Sequence, residues 1–374
     1  MKKFLSAMLA SAMALSLASV GVFAAQEYDL APVSTIPVVD ADGEPYETAD
    51  ISYTAGSLTM ENVTPNSTIY IPVYDGSSVY DGSSPYYAKD FRDSSLYRFR
   101  ASKEENGSLV DSIEYVSQKN LGDYTGRPDW IKIVLNDSAM TSEEKFEGTV
   151  TFKARKSADA EDNLYTPSGV VSGDTITLDL NLWVNNQKVE GSDASVDTGD
   201  RIYFEPEKNE TNVLVWGDDR AALEFDADDD GATFYARLSV KSDSNIYREY
   251  GDPANADLYF YDFVGNPTVP STARATLTLG VPWEDDDNAP DPLGCYIYQV
   301  DEDGQLIDVT DQFTYSEDEE EIAGWSIRTR TLGSYVLSDV ELDVEVAGSE
   351  ESGSSQDDGD KVIPDTGRGG VPMI

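Results

Sequence analysis

The chain reads as all-β: two tandem antiparallel β-sandwich (Ig-like) domains, preceded by a signal peptide and followed by a disordered acidic tail. Three observations predict this. Apolar residues recur at every second position in run after run, the period that sets one face of a strand against a core. The runs are separated by clusters of Gly, Asp, Asn and Ser, which make turns. Beyond the first two dozen residues, no stretch keeps the 3.6-residue period of an amphipathic helix.

The elements follow in order. Lys2 and Lys3 form a positive segment, 5–23 is an apolar run, and Val22-Phe23-Ala24 closes with a small residue. This is the layout of a secretory signal peptide over 1–24, with the mature chain expected from Ala25 and without a transmembrane span. Within the body, Ile131, Ile133 and Leu135 form a short stripe, and Phe146, Val150, Phe152 and Ala154 a longer one. Ile176, Leu178, Leu180, Leu182 and Val184 alternate with polar residues in the clearest strand. Phe234, Ala236, Leu238 and Val240 share a face, as do Ala275, Leu277 and Leu279, and then Tyr296, Tyr298 and Val300. Ser142-Glu143-Glu144-Lys145 reads as a single helical turn.

The small, polar stretch 191–200 separates two strand-rich regions and sets the expected domains at 25–200 and 201–346, with a subdivision near 95 left open. Two tandem copies, Tyr74-Asp75-Gly76-Ser77-Ser78-Val79 and Tyr80-Asp81-Gly82-Ser83-Ser84-Pro85, read as one long surface loop. Two copies are too few for a repeat architecture. The tail, 347–374, opens on Gly, Ser and acidic residues with nothing apolar to bury, which makes it a self-repelling spacer.

Composition closes off several chemistries. The 374 residues hold no histidine, one cysteine and a formal net charge of −45. Ser–His–Asp and Cys–His catalysis and histidine-based zinc sites are therefore excluded. One cysteine cannot form an internal disulfide, so an exported chain of this kind relies on core packing. Cys295 lies in a strand-like run and reads as a small buried apolar residue. The acidity opposes nucleic-acid binding, because phosphates are repelled along the whole surface. With 71 acidic residues, chance carboxylate pairs are certain, and no pair identifies a glycosidase.

Two segments carry resemblances. Ile363-Pro364-Asp365-Thr366-Gly367 resembles the LPXTG-type sorting signal of Gram-positive surface proteins, with Ile at its first position. The resemblance implies cleavage between Thr366 and Gly367 and joining of Thr366 to the cell wall. The hydrophobic span and basic tail of that pattern do not follow in this sequence. Earlier, Thr272-Ala273-Arg274-Ala275-Thr276-Leu277-Thr278-Leu279, then Tyr296-Ile297-Tyr298-Gln299-Val300-Asp301-Glu302-Asp303-Gly304 and Ser334-Tyr335-Val336-Leu337-Ser338-Asp339 are similar to a module of secreted and wall-associated Firmicutes proteins. That resemblance covers about 257–343 and implies an accessory Ig-like or ZU5-like sandwich without catalytic residues.

Three sets of candidate site residues remain. Asp226, Asp228 and Asp230, followed by Gly231, match the first half of an EF-hand calcium loop. The twelfth position holds Arg237 where a bidentate Glu is required, and a β-turn accounts for the same letters. Asp285 and Asp287 form a second acidic loop open to the same two readings, a turn or a weak calcium site. Asp42-Gly43 and Asp303-Gly304 read as type I′ hairpin turns. Trp283, beside that second loop, reads as an exposed sugar-stacking platform or as core packing. Tyr74 and Tyr80, from the duplication, are the remaining ligand-binding candidates, whereas Trp183 sits on the polar face of its strand. The expected role is a non-catalytic exported surface protein, structural or adhesive, contacting wall polymer, glycan or another surface protein. The alternative is a carbohydrate-binding or polysaccharide-degradation accessory.

Overall fold

A computed structural model describes residues 25–76, 86–156, 170–229, 231–283, 289–318 and 321–344. The signal-peptide and tail segments lie outside them. The first domain packs two sheets face to face. One sheet runs, in spatial order, Ile51–Thr54, Ser57–Val63, Thr175–Val184, Glu144–Ala154 and Tyr97–Glu105, with Glu27–Asp29 also against Thr175–Val184. The other holds Thr68–Tyr74, Asp129–Leu135 and Val110–Val116. The alternating residues meet between them. Ile176, Leu178, Leu180 and Leu182 from the first sheet and Ile69, Ile71, Ile131 and Ile133 from the second are buried in one cluster. Each such side chain removed from water contributes roughly 1.5–3 kcal/mol before entropy is counted. This single core draws on residues from Leu30 to Val184, so no boundary falls near residue 95.

The second domain begins earlier than the polar stretch 191–200 suggests. Gln187–Glu190 pairs with Ile202–Glu205, and Asp193–Val196 pairs with Thr211–Trp216. Only Asn185 and Asn186 separate Thr175–Val184 from Gln187–Glu190. The small polar residues that look like a linker are thus the point where the first strand crosses between the domain's two layers. One layer orders Asp193–Val196, Thr211–Trp216, Ala221–Asp226, Ala275–Gly280, Gly324–Thr329 and Thr314–Ser316. The facing layer holds two sheets, a three-stranded one of Gln187–Glu190, Ile202–Glu205 and Phe234–Tyr235 and a second group. That group orders Leu238–Ser239, Leu258–Phe263, Ser334–Ser338, Tyr296–Val300 and Leu306–Asp308. Most ladders are antiparallel; Glu27–Asp29 and Ser57–Val63 pair in parallel with Thr175–Val184, Gln187–Glu190 with Ile202–Glu205, and Asp193–Val196 with Thr211–Trp216. Period-two patterning assigns faces and says nothing about direction.

Val240, grouped by period with Phe234, Ala236 and Leu238, lies beyond the core and is 39% exposed. Tyr296–Val300 departs from simple alternation: Ile297 and Tyr298 are both fully buried. The reason is a third layer. Ser244–Ile246, Tyr247–Gly251 and Asp252–Ala254 form one short helical segment, packed with Leu342 against Leu258, Phe260 and Tyr298. The Asp243 carboxylate caps it by accepting from the Asn245 and Ile246 N–H groups, and Asn255 ends it in the left-handed conformation at φ 51°. Conversely, 142–145 is not helical; the strand Glu144–Ala154 starts there.

The Asp-Gly turns are also resolved differently. Gly43 and Gly304 have positive φ, at 88° and 79°, but Asp42 and Asp303 do not. In each loop an aspartate two residues earlier accepts two N–H groups: Asp40 from Asp42 and Glu44, and Asp301 from Asp303 and Gln305. Both are three-residue loops with glycine alone in the left-handed position, rather than type I′ turns.

Candidate functional site

The acidic turn after Ala221–Asp226 is tied down by protein donors. Asp226 Oδ1 accepts from the Thr211 hydroxyl at 2.7 Å, and its carbonyl accepts from Ser271 at 2.6 Å. Asp228 accepts from the Thr272 N–H at 3.1 Å, and Asp229 from Asn209 Nδ2 at 2.6 Å. The carboxylates reach separate partners on two flanking segments, and among the described residues no three acidic side chains converge on a metal position. The turn therefore joins neighbouring loops. Asp230, Asp285 and Asp287 lie outside the described residues, as do Tyr80 and the sorting-like residues 363–367.

Trp283 is half-buried and packs on the second core. Its ring centroid is 5.3 Å from Tyr259, tilted to it, and 6.0 Å from Trp325, edge-on. Trp325 is itself buried, donates Nε1–H to the Pro292 carbonyl at 3.2 Å and contacts Tyr315. Protein aromatics thus occupy part of the surface that a sugar would need. Trp183, on its polar face, has the Lys145 ammonium 5.7 Å from its ring centroid.

Tyr74 is buried as the last residue of Thr68–Tyr74. The Arg92 guanidinium lies 4.9 Å from its ring centroid, its hydroxyl is 3.5 Å from that of Tyr87, and burial pushes its pKa up. Below it, the fully buried Asp129 accepts from Arg92 Nε and Nη2, the Tyr115 hydroxyl and the Gln118 N–H, each at 2.8 Å in its shortest contact. Burial and the adjacent Asp129 raise the Tyr115 pKa. Strand position commits Tyr74 to packing.

The surface that the sequence reading missed lies at one edge of the second sandwich. Arg328 sits on Gly324–Thr329 opposite Thr276, Arg274 precedes Ala275–Gly280, and Arg330 follows Gly324–Thr329. Period-two geometry puts all three at positions alternating with Leu277 and Ile327, and at the open edge of the sandwich the half-buried Ile327 joins them in one lining. All three are exposed, and none forms an ion pair among the described residues. They line an open groove of about 630 Å³ together with Gln299, Gln312 and Tyr335. The groove continues past Thr314 and Ser326. Arg328-Thr329-Arg330 is legible as two cations on one strand face; Arg274 joins them only through strand pairing.

No protein-family model matches the chain, and no curated protein matches it. Among solved structures, cadherin-like domains 1 to 4 of zebrafish RET align at 9% identity and a TM-score of 0.20, covering 63% of this chain and 49% of that one. The chain thus spans about half that structure's length, and so slight an overlap carries no argument about fold or function.

Proposed function

We propose that the chain is a non-catalytic exported surface protein, structural or adhesive in role, which contacts wall polymer, glycan or a neighbouring surface protein. The observation that carries this reading is the arginine groove. On a chain of net charge −45, three guanidiniums gather, none in an ion pair among the described residues, in an open surface whose walls carry amides, hydroxyls and the Asp301 and Glu302 carboxylates. Such a surface suits reversible contact with a polar partner. Among the described residues no helix is long and apolar enough to cross a membrane. A carbohydrate-binding accessory role is the second reading, favoured by the same amides and hydroxyls.

Beads coated with the full chain test the proposal against isolated cell walls and matrix-coated surfaces. Salt-sensitive retention above that of beads bearing an unrelated protein of matched charge is the expected result. Equal retention on both would overturn the adhesive reading.

A further inference from the structure

We infer that the arginine groove takes an acidic saccharide chain, one whose sugar units carry carboxylates at intervals. This deepens, and rests on, the reading of the groove as a contact surface. Arg328 donates one Nη2–H to the Arg274 carbonyl at 2.9 Å, and Arg330 one to the Thr272 carbonyl at 2.8 Å. These tethers hold two planar forks in place, and each guanidinium keeps further N–H donors for a carboxylate. Arg274 and Arg330 extend the ladder in which Ala275 faces Thr329. Like charges at facing positions oppose folding, so sheet stability does not account for the trio.

The rest of the lining selects among anions. Gln299, Gln312 and Thr314 both donate and accept, as sugar hydroxyls require, whereas the Ser326 and Thr329 hydroxyls already donate to the Thr314 and Thr331 carbonyls. Apolar lining is confined to Val300, Ile327 and Tyr335, too little for the side-chain pockets by which peptides are read. Asp301 and Glu302 share the groove. They repel a phosphodiester backbone, and as acceptors they can take hydrogen bonds from the hydroxyls of a sugar chain. The local cations act within a Debye length of about 8 Å, over which the distant acidic surface is screened.

The test is calorimetric titration of the full chain, and of R274Q and R328Q, with a galacturonate oligomer. Its methyl ester, a sulfated neutral oligosaccharide and a poly-glutamate peptide are run in parallel. Both positions are exposed, so the melting temperatures of the variants should match the parent and report retained folding. The expected result is binding of the galacturonate oligomer, weakened at least tenfold by either substitution, by esterification and by 0.5 M salt. Equal binding of the ester, unchanged binding by both variants, or stronger binding of the sulfated sugar or the peptide would each overturn the inference. Adhesion in the bead assay with no galacturonate binding would overturn the ligand assignment and leave the adhesive reading standing. Loss of bead adhesion as well would remove both.

Discussion

Asp137 and Arg201 face each other across the junction between the two sandwiches, both guanidinium Nη atoms donating to the two carboxylate oxygens, Nη2 to Oδ2 at 2.8 Å. Asp137 follows the first-domain strand Asp129–Leu135, and Arg201 precedes the second-domain strand Ile202–Glu205. Arg237 approaches the same carboxylate at 4.0 Å. With only Asn185 and Asn186 between domains, this fork limits how the second sandwich swings on the first.

Replacing Asp137 with Ala should therefore loosen the junction at a cost of about 1 kcal/mol, the upper range for an exposed but bidentate pair. Hydrogen bonds from Arg201, and then its charge, hold the Asp137 pKa below the usual carboxylate range. The pair's contribution is complete above the unfolded value near 4 and is lost as pH falls through the depressed folded value. Melting curves should separate parent and variant at neutral pH and converge in strong acid. A constant gap down to pH 2 would contradict the assignment.

Asp129 is the costlier position. Substituting Ala leaves Arg92, Tyr115 and the Gln118 N–H without their shared acceptor in a buried site, for a loss of about 3–5 kcal/mol. Replacing Arg92 and Asp129 together with Leu should cost less than D129A alone. Denaturant midpoints of the three variants decide this.

Gly148 lies within Glu144–Ala154 where a Cβ would stand 2.6 Å from the Ser102 carbonyl oxygen and 2.7 Å from the Phe146 ring. Since the strand is internal to the sheet, G148A should destabilise by about 1–3 kcal/mol through overpacking. A midpoint equal to the parent's would show that Phe146 can turn aside.

Trp283→Ala should lower stability by about 2 kcal/mol because Tyr259 and Trp325 lose a packing neighbour. A variant that kept its melting temperature and lost only glycan binding would restore the platform reading.

Cys295 is buried, and burial, with Asp339 and Asp291 nearby, pushes its thiol up to about 11. At pH 8 a thiol-specific reagent should therefore titrate it only after denaturant is added. Prompt labelling of the native chain would contradict the buried position.

Thr175–Val184 shows what the sequence determines by itself. Ile176, Leu178, Leu180, Leu182 and Val184 could be assigned to the core because a strand's geometry maps every second residue to one face. The same local rule made the all-β class, the buried Ile131–Ile133 pair and the cysteine's burial legible. It could not find the helical segment after Asp243, since eleven residues packed by Tyr247 and Ile246 against the outside of a sheet need little periodicity of their own. Nor could it commit Tyr74 to packing, or place the junction at Asn185–Asn186, because those depend on which strand a residue pairs with. Arg274, Arg328 and Arg330 are the plainest case: two are neighbours in sequence at period two, and the third arrives from more than fifty residues away through a hydrogen-bonded register. Local patterning determines which face a residue occupies; only long-range strand pairing decides which residues share that face.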